Sequence, residues 1–282
     1  MPPKGCFMTD DSARRSRSGP AVIGESITLS PAELAELSRI SGEHFLKLFQ
    51  IDELRCYLML KRWRDFQAAG GTVVVHEIAS PDVIENTIEH NIRQLGTGAA
   101  FGRPMGLLGP LLGVDQIAFH RHETRVLIVG PRTENEILLY VSHGFAPGNV
   151  RGLDLMSYSP WIDVGDMHAM PYADNSFDVV LFSWVLGYSS NQEKAVAEAV
   201  RVVRPGGLIG IGEEFEPKSA EEHNEKLLQE KGYTLHGTVT TSAERLIGLF
   251  GGAVDEVVFR TEPPPSDRAR AGWISTIVRT RK

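Results

Sequence analysis

Residues 165–212 read GDMHAMPYADNSFDVVLFSWVLGYSSNQEKAVAEAVRVVRPGGLIGIG, and this stretch decides the fold class. The turn pair Asp174-Asn175 introduces an apolar run at 177–184 that is long enough for a buried strand. From Gln192 the pattern changes period: Val196, Ala199, Val200 and Val203 fall at i, i+3, i+4 and i+7, one face of a helix. Pro205-Gly206-Gly207 then ends that helix and feeds a second apolar run at 208–211. Strand, helix and strand in succession predict a parallel pair joined by a crossover.

The same rhythm extends in both directions. Residues 125–129 form a β-branched run followed by a helical pattern at 133–143, with further strands at 150–155 and 161–164. Downstream come a charged helix at 220–231, a shorter one at 243–250, and two strands at 254–259 and 273–278. No helix separates those last two strands, so they must pair antiparallel. Upstream the character differs. Residues 1–28 show no periodicity and read as a disordered leader. Ser30-Pro31-Ala32-Glu33 is a capping box, and helical patterns follow at 52–69 and 81–95, with a short strand at 72–75. The glycine-rich stretch 96–113 reads as a mobile or packed loop. The expected division is a leader at 1–28, a mainly helical extension or cap at 29–118, and an α/β domain at 119–282.

Composition bounds the rest. Hydrophobic residues make up 42% and charged ones 23% of 282 residues, the balance of an ordinary globular protein. A net charge of −7 makes nucleic acid a poor partner. Two cysteines, Cys6 and Cys56, exclude a disulfide framework and fit a reducing, cytoplasmic compartment. No apolar run reaches the ~20 residues of a membrane span, and the polar N-terminus lacks a signal core.

In open parallel sheets, ligands bind beyond the carboxyl ends of the strands. The first strand end supplies Gly130, Arg132 and Glu134; the second Asp154; the third Asp166, Met167 and His168; the fourth Ser183 and Trp184. With those positions, residues 124–212 resemble the class I S-adenosylmethionine-dependent methyltransferases, in particular the ubiquinone/menaquinone-biosynthesis group. The ordered pattern of GD, DNSFDVV, helix and RVVRPGG carries that resemblance. It implies a Rossmann-like parallel sheet with helices on both faces and a C-terminal antiparallel hairpin. The implied cofactor is S-adenosylmethionine.

Carried over by position, the resemblance gives Asp154 to the ribose hydroxyls, Asp166 to the adenine amine and Met167 to the adenine ring. Ser183 and Trp184 fall near the methionine half, and Gly130 allows close approach of the backbone. The first loop departs from the family: Ile128 replaces an acidic residue, and Arg132 and Glu134 stand where glycines are usual. Those two side chains either obstruct the cofactor or pair with its carboxylate and ammonium. Each position also has a plain structural reading. Asp154 could end a strand, Asp166 could cap a turn starting at His168, and Ser183 and Trp184 could be packing.

Methyl transfer needs orientation more than a dedicated catalytic group, so no catalytic residue is assigned. His168, Tyr188, Glu213 and Glu214 are candidates by position only. His120-Arg121-His122 is too isolated for a metal site, and no metal is expected. Phe101, Met105, Leu107 and Leu108 hint at a hydrophobic acceptor, or at packing. The expected function is methyl transfer to a small, hydrophobic organic acceptor. Its rivals are a catalytically degenerate scaffold and a nicotinamide-dependent reductase, the latter disfavoured by the absence of GxGxxG.

Overall fold

In a computed structural model, the described residues are 41–77, 105–215, 220–231, 242–264 and 272–281, with scattered positions between 30 and 39 and between 88 and 95. The capping box and residues 96–104, Phe101 among them, lie largely outside that set. A 3-10 segment, Ser41–Gln50, leads into α1 (Asp52–Ala68) and a two-residue strand, β1 (Val74–Val75). Then follow α2 (Met105–Leu112), α3 (Asp115–Ala118), β2 (Val126–Val129), α4 (Glu134–Ser142), β3 (Val150–Asp154), β4 (Met156–Ser157) and β5 (Ile162–Val164). The remainder is β6 (Phe177–Ser183), α5 (Gln192–Val202), β7 (Val203–Phe215), α6 (Ala220–Lys231), α7 (Ala243–Gly248), β8 (Val254–Thr261) and β9 (Gly272–Thr280).

The main sheet has seven strands in the order β5-β3-β2-β6-β7-β9-β8. The pairs from β5 through β7 are parallel, and β9 is antiparallel to both β7 and β8. The expected hairpin is therefore present, with its second strand inserted next to β7. A small second sheet pairs β1 with β4 antiparallel.

Alternation along the central strands sends side chains to both faces, and both are covered. Leu127, Val129, Val180, Phe182, Ile209 and Ile211 pack with Val196, Ala199 and Val202 of α5 and with Leu246 of α7. Val126, Ile128, Val179, Leu181 and Leu208 pack on the opposite side with Ile137 and Leu139 of α4 and Leu107, Leu108 and Leu111 of α2. Burying each such aliphatic side chain contributes about 1.5–3 kcal/mol.

Two expectations are corrected. Residues 105–112, read as part of a loop, form α2 despite Gly106, Gly109 and an internal Pro110. Leu107, Leu108 and Leu111 are at most 1% exposed against the sheet, and burial outweighs weak helix propensity. Pro205-Gly206-Gly207 does not separate helix from strand. The helix ends at Val202, and β7 runs from Val203 through these residues. Phe177 pairs with Val203 and Val179 with Leu208, so the Pro-Gly-Gly segment is a bulge within the strand. Gly206 takes φ +68, which glycine adopts without strain.

Candidate active site

Strand order reverses between β2 and β6: from β2 the chain steps outward to β3 and β5 on one side, then returns to add β6 and β7 on the other, all five strands running parallel. The crevice at the carboxyl ends of those strands is the place where ligands of such sheets bind. Gly130, Arg132, Asp154, Asp166, Met167 and Ser183 all stand at or just beyond these carboxyl ends.

β2 ends in a loop with two left-handed residues, Gly130 at φ +75 and Arg132 at φ +53. An L side chain in that region costs about 1–2 kcal/mol, so Arg132 occupies a backbone position that suits glycine. The loop thus keeps the bend of a glycine-rich turn although the glycine is gone. Gly130 N–H donates to Leu153 O at 2.8 Å, and Arg132 N–H to Asp154 Oδ2 at 3.1 Å. A Cβ on Gly130 would fall 2.5 Å from Cγ2 of Val185, so the first loop and the loop after β6 approach closely.

Asp154 closes β3, and its Oδ1 accepts from Met156 N–H at 3.2 Å. Burial pushes its carboxyl above the usual range, against the lowering effect of these backbone donors. One neighbouring strand away, Asp166 Oδ1 accepts from His168 N–H at 2.8 Å and lies 2.6 Å from His168 Nδ1. The turn-capping contact anticipated for Asp166 therefore exists on one oxygen, while Oδ2 carries none of these contacts. His168 Nε2 lies 2.7 Å from Ser189 Oγ, which accepts from Asn191 N–H at 3.1 Å. Both ring nitrogens of His168 are thereby engaged, one by a carboxylate and one by a hydroxyl. Met167 is 9% exposed.

Ser183 is buried at the tip of β6, paired in register with Gly212 of β7. Trp184, at φ +54, turns its indole into the core. The ring stacks edge-on against Trp273 at 5.2 Å, and a Cβ on Gly106 or Gly212 would collide with it. Trp184 is a packing residue. Glu213 is buried and accepts from Gly187 N–H at 3.1 Å, holding the loop that follows β6. Tyr188 is half-buried in that loop, and Glu214 points outward.

Glu134 takes no part in this crevice. It is 1% exposed and bonded by both Arg62 Nε and Arg62 Nη2, the latter at 2.8 Å, with Ser159 Oγ donating at 2.6 Å. The guanidinium of Arg62 also lies over Trp161, 4.7 Å from the ring centroid. Arg55, fully buried on the same helix, reaches Asn135 Oδ1 at 3.1 Å. Two arginines of α1 therefore lock the first turn of α4, directly behind the Gly130–Arg132 loop. Nothing in the local sequence around 134 announces partners 72 and 80 positions away.

Comparison with known proteins agrees with this layout. Residues 145–211 match the profile of the methyltransferase domain family. A demethylmenaquinone methyltransferase of Renibacterium salmoninarum is 45% identical over 53 residues, 19% of this chain and 22% of the relative. The ubiquinone/menaquinone biosynthesis C-methyltransferase UbiE of Dinoroseobacter shibae is 47% identical over 51 residues, 18% of this chain and 20% of the relative. The chain spans about a fifth of the length of these curated relatives. A solved S-adenosylmethionine-dependent methyltransferase from Mesorhizobium loti is 18% identical, covering 55% of this chain and 90% of its own, with a TM-score of 0.43. The profile match runs through Asp154, Asp166 and Ser183 on strands that build this edge, so residues 145–211 are similar to the methyltransferase domain family and lie on a Rossmann-like sheet.

Proposed function

We propose that this protein transfers the methyl group of S-adenosylmethionine to a small organic acceptor. The observation that carries the reading is the pair of carboxylates, Asp154 and Asp166, at the tips of adjoining strands beside a left-handed Gly130–Arg132 loop. The residues fit the cofactor. Asp154 Oδ2 accepts Arg132 N–H and Oδ1 accepts Met156 N–H, and a carboxylate's remaining acceptor capacity suits the ribose hydroxyls. Asp166 Oδ2 suits the adenine amine, and the thioether of Met167 suits the face of the ring. Ser183 stands on the methionine side, and Arg132 is the cation nearest in sequence for the cofactor's carboxylate.

When bound, S-adenosylmethionine supplies a methyl group made electrophilic by its sulfonium. The work of this chain is then to bind, orient and exclude water, and effective alignment alone supports a large part of the rate. A hydrophobic ring acceptor is favoured by the two quinone-named relatives. Leu107 and Leu108 do not add to that argument, because they are buried in the core beneath the sheet. A net charge of −7 favours a small molecule over nucleic acid. Among the described residues no helix is long and apolar enough to cross a membrane.

The scaffold alternative required Arg132 and Glu134 in the nucleoside space, and Glu134 is instead tied to Arg62 and Ser159. Titration calorimetry with S-adenosylhomocysteine tests the proposal. Saturable one-to-one binding is expected, and the absence of heat at millimolar ligand would overturn it.

A further inference from the structure

On the reading above, the donor lies over the tips of β5, β3 and β2, which places the acceptor over β6 and β7. The loop after β6 is anchored there from two sides. Glu213 Oε1 accepts from Gly187 N–H, and Gln192 Nε2 donates to Leu186 O at 3.1 Å. Gln192 is 5% exposed, and its Oε1 accepts from Arg245 Nη2 at 2.6 Å. Arg245 stands in the first turn of α7, where its own N–H donates to Ser242 Oγ at 3.2 Å.

This guanidinium is half satisfied. Nη1 of Arg245 is buried and has no hydrogen-bond partner, and no carboxylate pairs with Arg245 among the described residues. A buried donor on a charged group left without an acceptor is destabilising, and such orphans in native structures call for an explanation. The planar fork of arginine matches an oxyanion through two parallel N–H bonds. Nη2 is clamped by Gln192 beside the loop that ends β6, and the N–H groups of Nη1 are left to meet an acceptor.

The geometry points to Arg245 as the group that binds an oxyanion of the methyl acceptor, a carboxylate or an ionised hydroxyl. This rests on the methyl-transfer reading and narrows its substrate class. An acceptor held as an anion also needs no base in the site to ionise it.

The test uses the full chain saturated with S-adenosylhomocysteine, titrated with benzoate, 2-naphthoate and hexanoate, and with 2-naphthamide as the neutral counterpart. At least one carboxylate is expected to bind saturably and about tenfold more tightly than the amide. Arg245→Met should weaken that carboxylate about tenfold and leave the amide and S-adenosylhomocysteine within about twofold, with Arg245→Lys between. Gln192→Leu, which removes the clamp without touching the arginine, should weaken the carboxylate several-fold and serves if Arg245→Met does not fold. Carboxylates that bind no better than the amide, or that ignore Arg245→Met, overturn the inference. So does a loss of S-adenosylhomocysteine without loss of 5′-methylthioadenosine, which would give Arg245 to the cofactor's carboxylate. Failure of the wild-type chain to bind S-adenosylhomocysteine refutes the methyl-transfer reading first, and this inference with it.

Discussion

Replacing Arg62 by Met would strand the carboxylate of Glu134. That side chain is 1% exposed, whereas Arg62 is 38% exposed, so one partner is dry and the other is partly in solvent. Removing one member of a fully buried pair costs about 3–5 kcal/mol. Here the retained Ser159 hydroxyl and the solvent at Arg62 lower that to about 2–3 kcal/mol. Loss of the guanidinium over Trp161 adds about 0.5–1 kcal/mol. The expected total is about 3 kcal/mol, read from urea denaturation at neutral pH.

Arg62→Met combined with Glu134→Leu should recover most of the loss, because no charge then remains to be stranded. A single variant within about 0.5 kcal/mol of wild type, or a double variant as unstable as the sum of the singles, would refute the account of α1 as a lock.

Three further outcomes follow from the crevice. Asp154→Asn should weaken S-adenosylhomocysteine by about a hundredfold in calorimetry, the loss of two charge-assisted hydrogen bonds at about 1.5 kcal/mol each. Because burial raises the Asp154 carboxyl, wild-type affinity should fall on acidification at a pH above the range of an ordinary aspartate, and the variant should lack that step. In the ligand-free protein the sign reverses: this group's contribution to stability is present at low pH and lost as pH rises through its folded pKa. Gly130→Ala forces a Cβ against Val185 at φ +75 and should cost about 2–4 kcal/mol in thermal unfolding, partly restored by Val185→Ala. Arg132→Gly, at φ +53, should leave stability within about 1 kcal/mol of wild type, whereas Arg132→Val should lose about 2 kcal/mol.

Local pattern carried most of the architecture. The VLIV run at 126–129 is buried on both faces, and continuous aliphatic sequence between turn residues has few other uses. The charged helix was legible to the residue, Ala220–Lys231, and the closing antiparallel pair followed from the lack of a crossover between its strands. The strand-tip carboxylates were legible for the same reason: their positions are set by chain order within a parallel sheet.

Contacts between distant segments were not legible, since periodicity reports only neighbours. The glycine- and proline-bearing stretch 105–112 is helical because Leu107, Leu108 and Leu111 have a sheet to bury against and Gly106 leaves space for Trp184. The fate of Glu134 depended on Arg62, a partner from another helix, and the bend at Arg132 on backbone angles that no residue type there advertises. Residue order along the chain sets period and turn chemistry; which charges meet, and which are left facing an empty hydrogen-bonding position, is settled by packing in three dimensions.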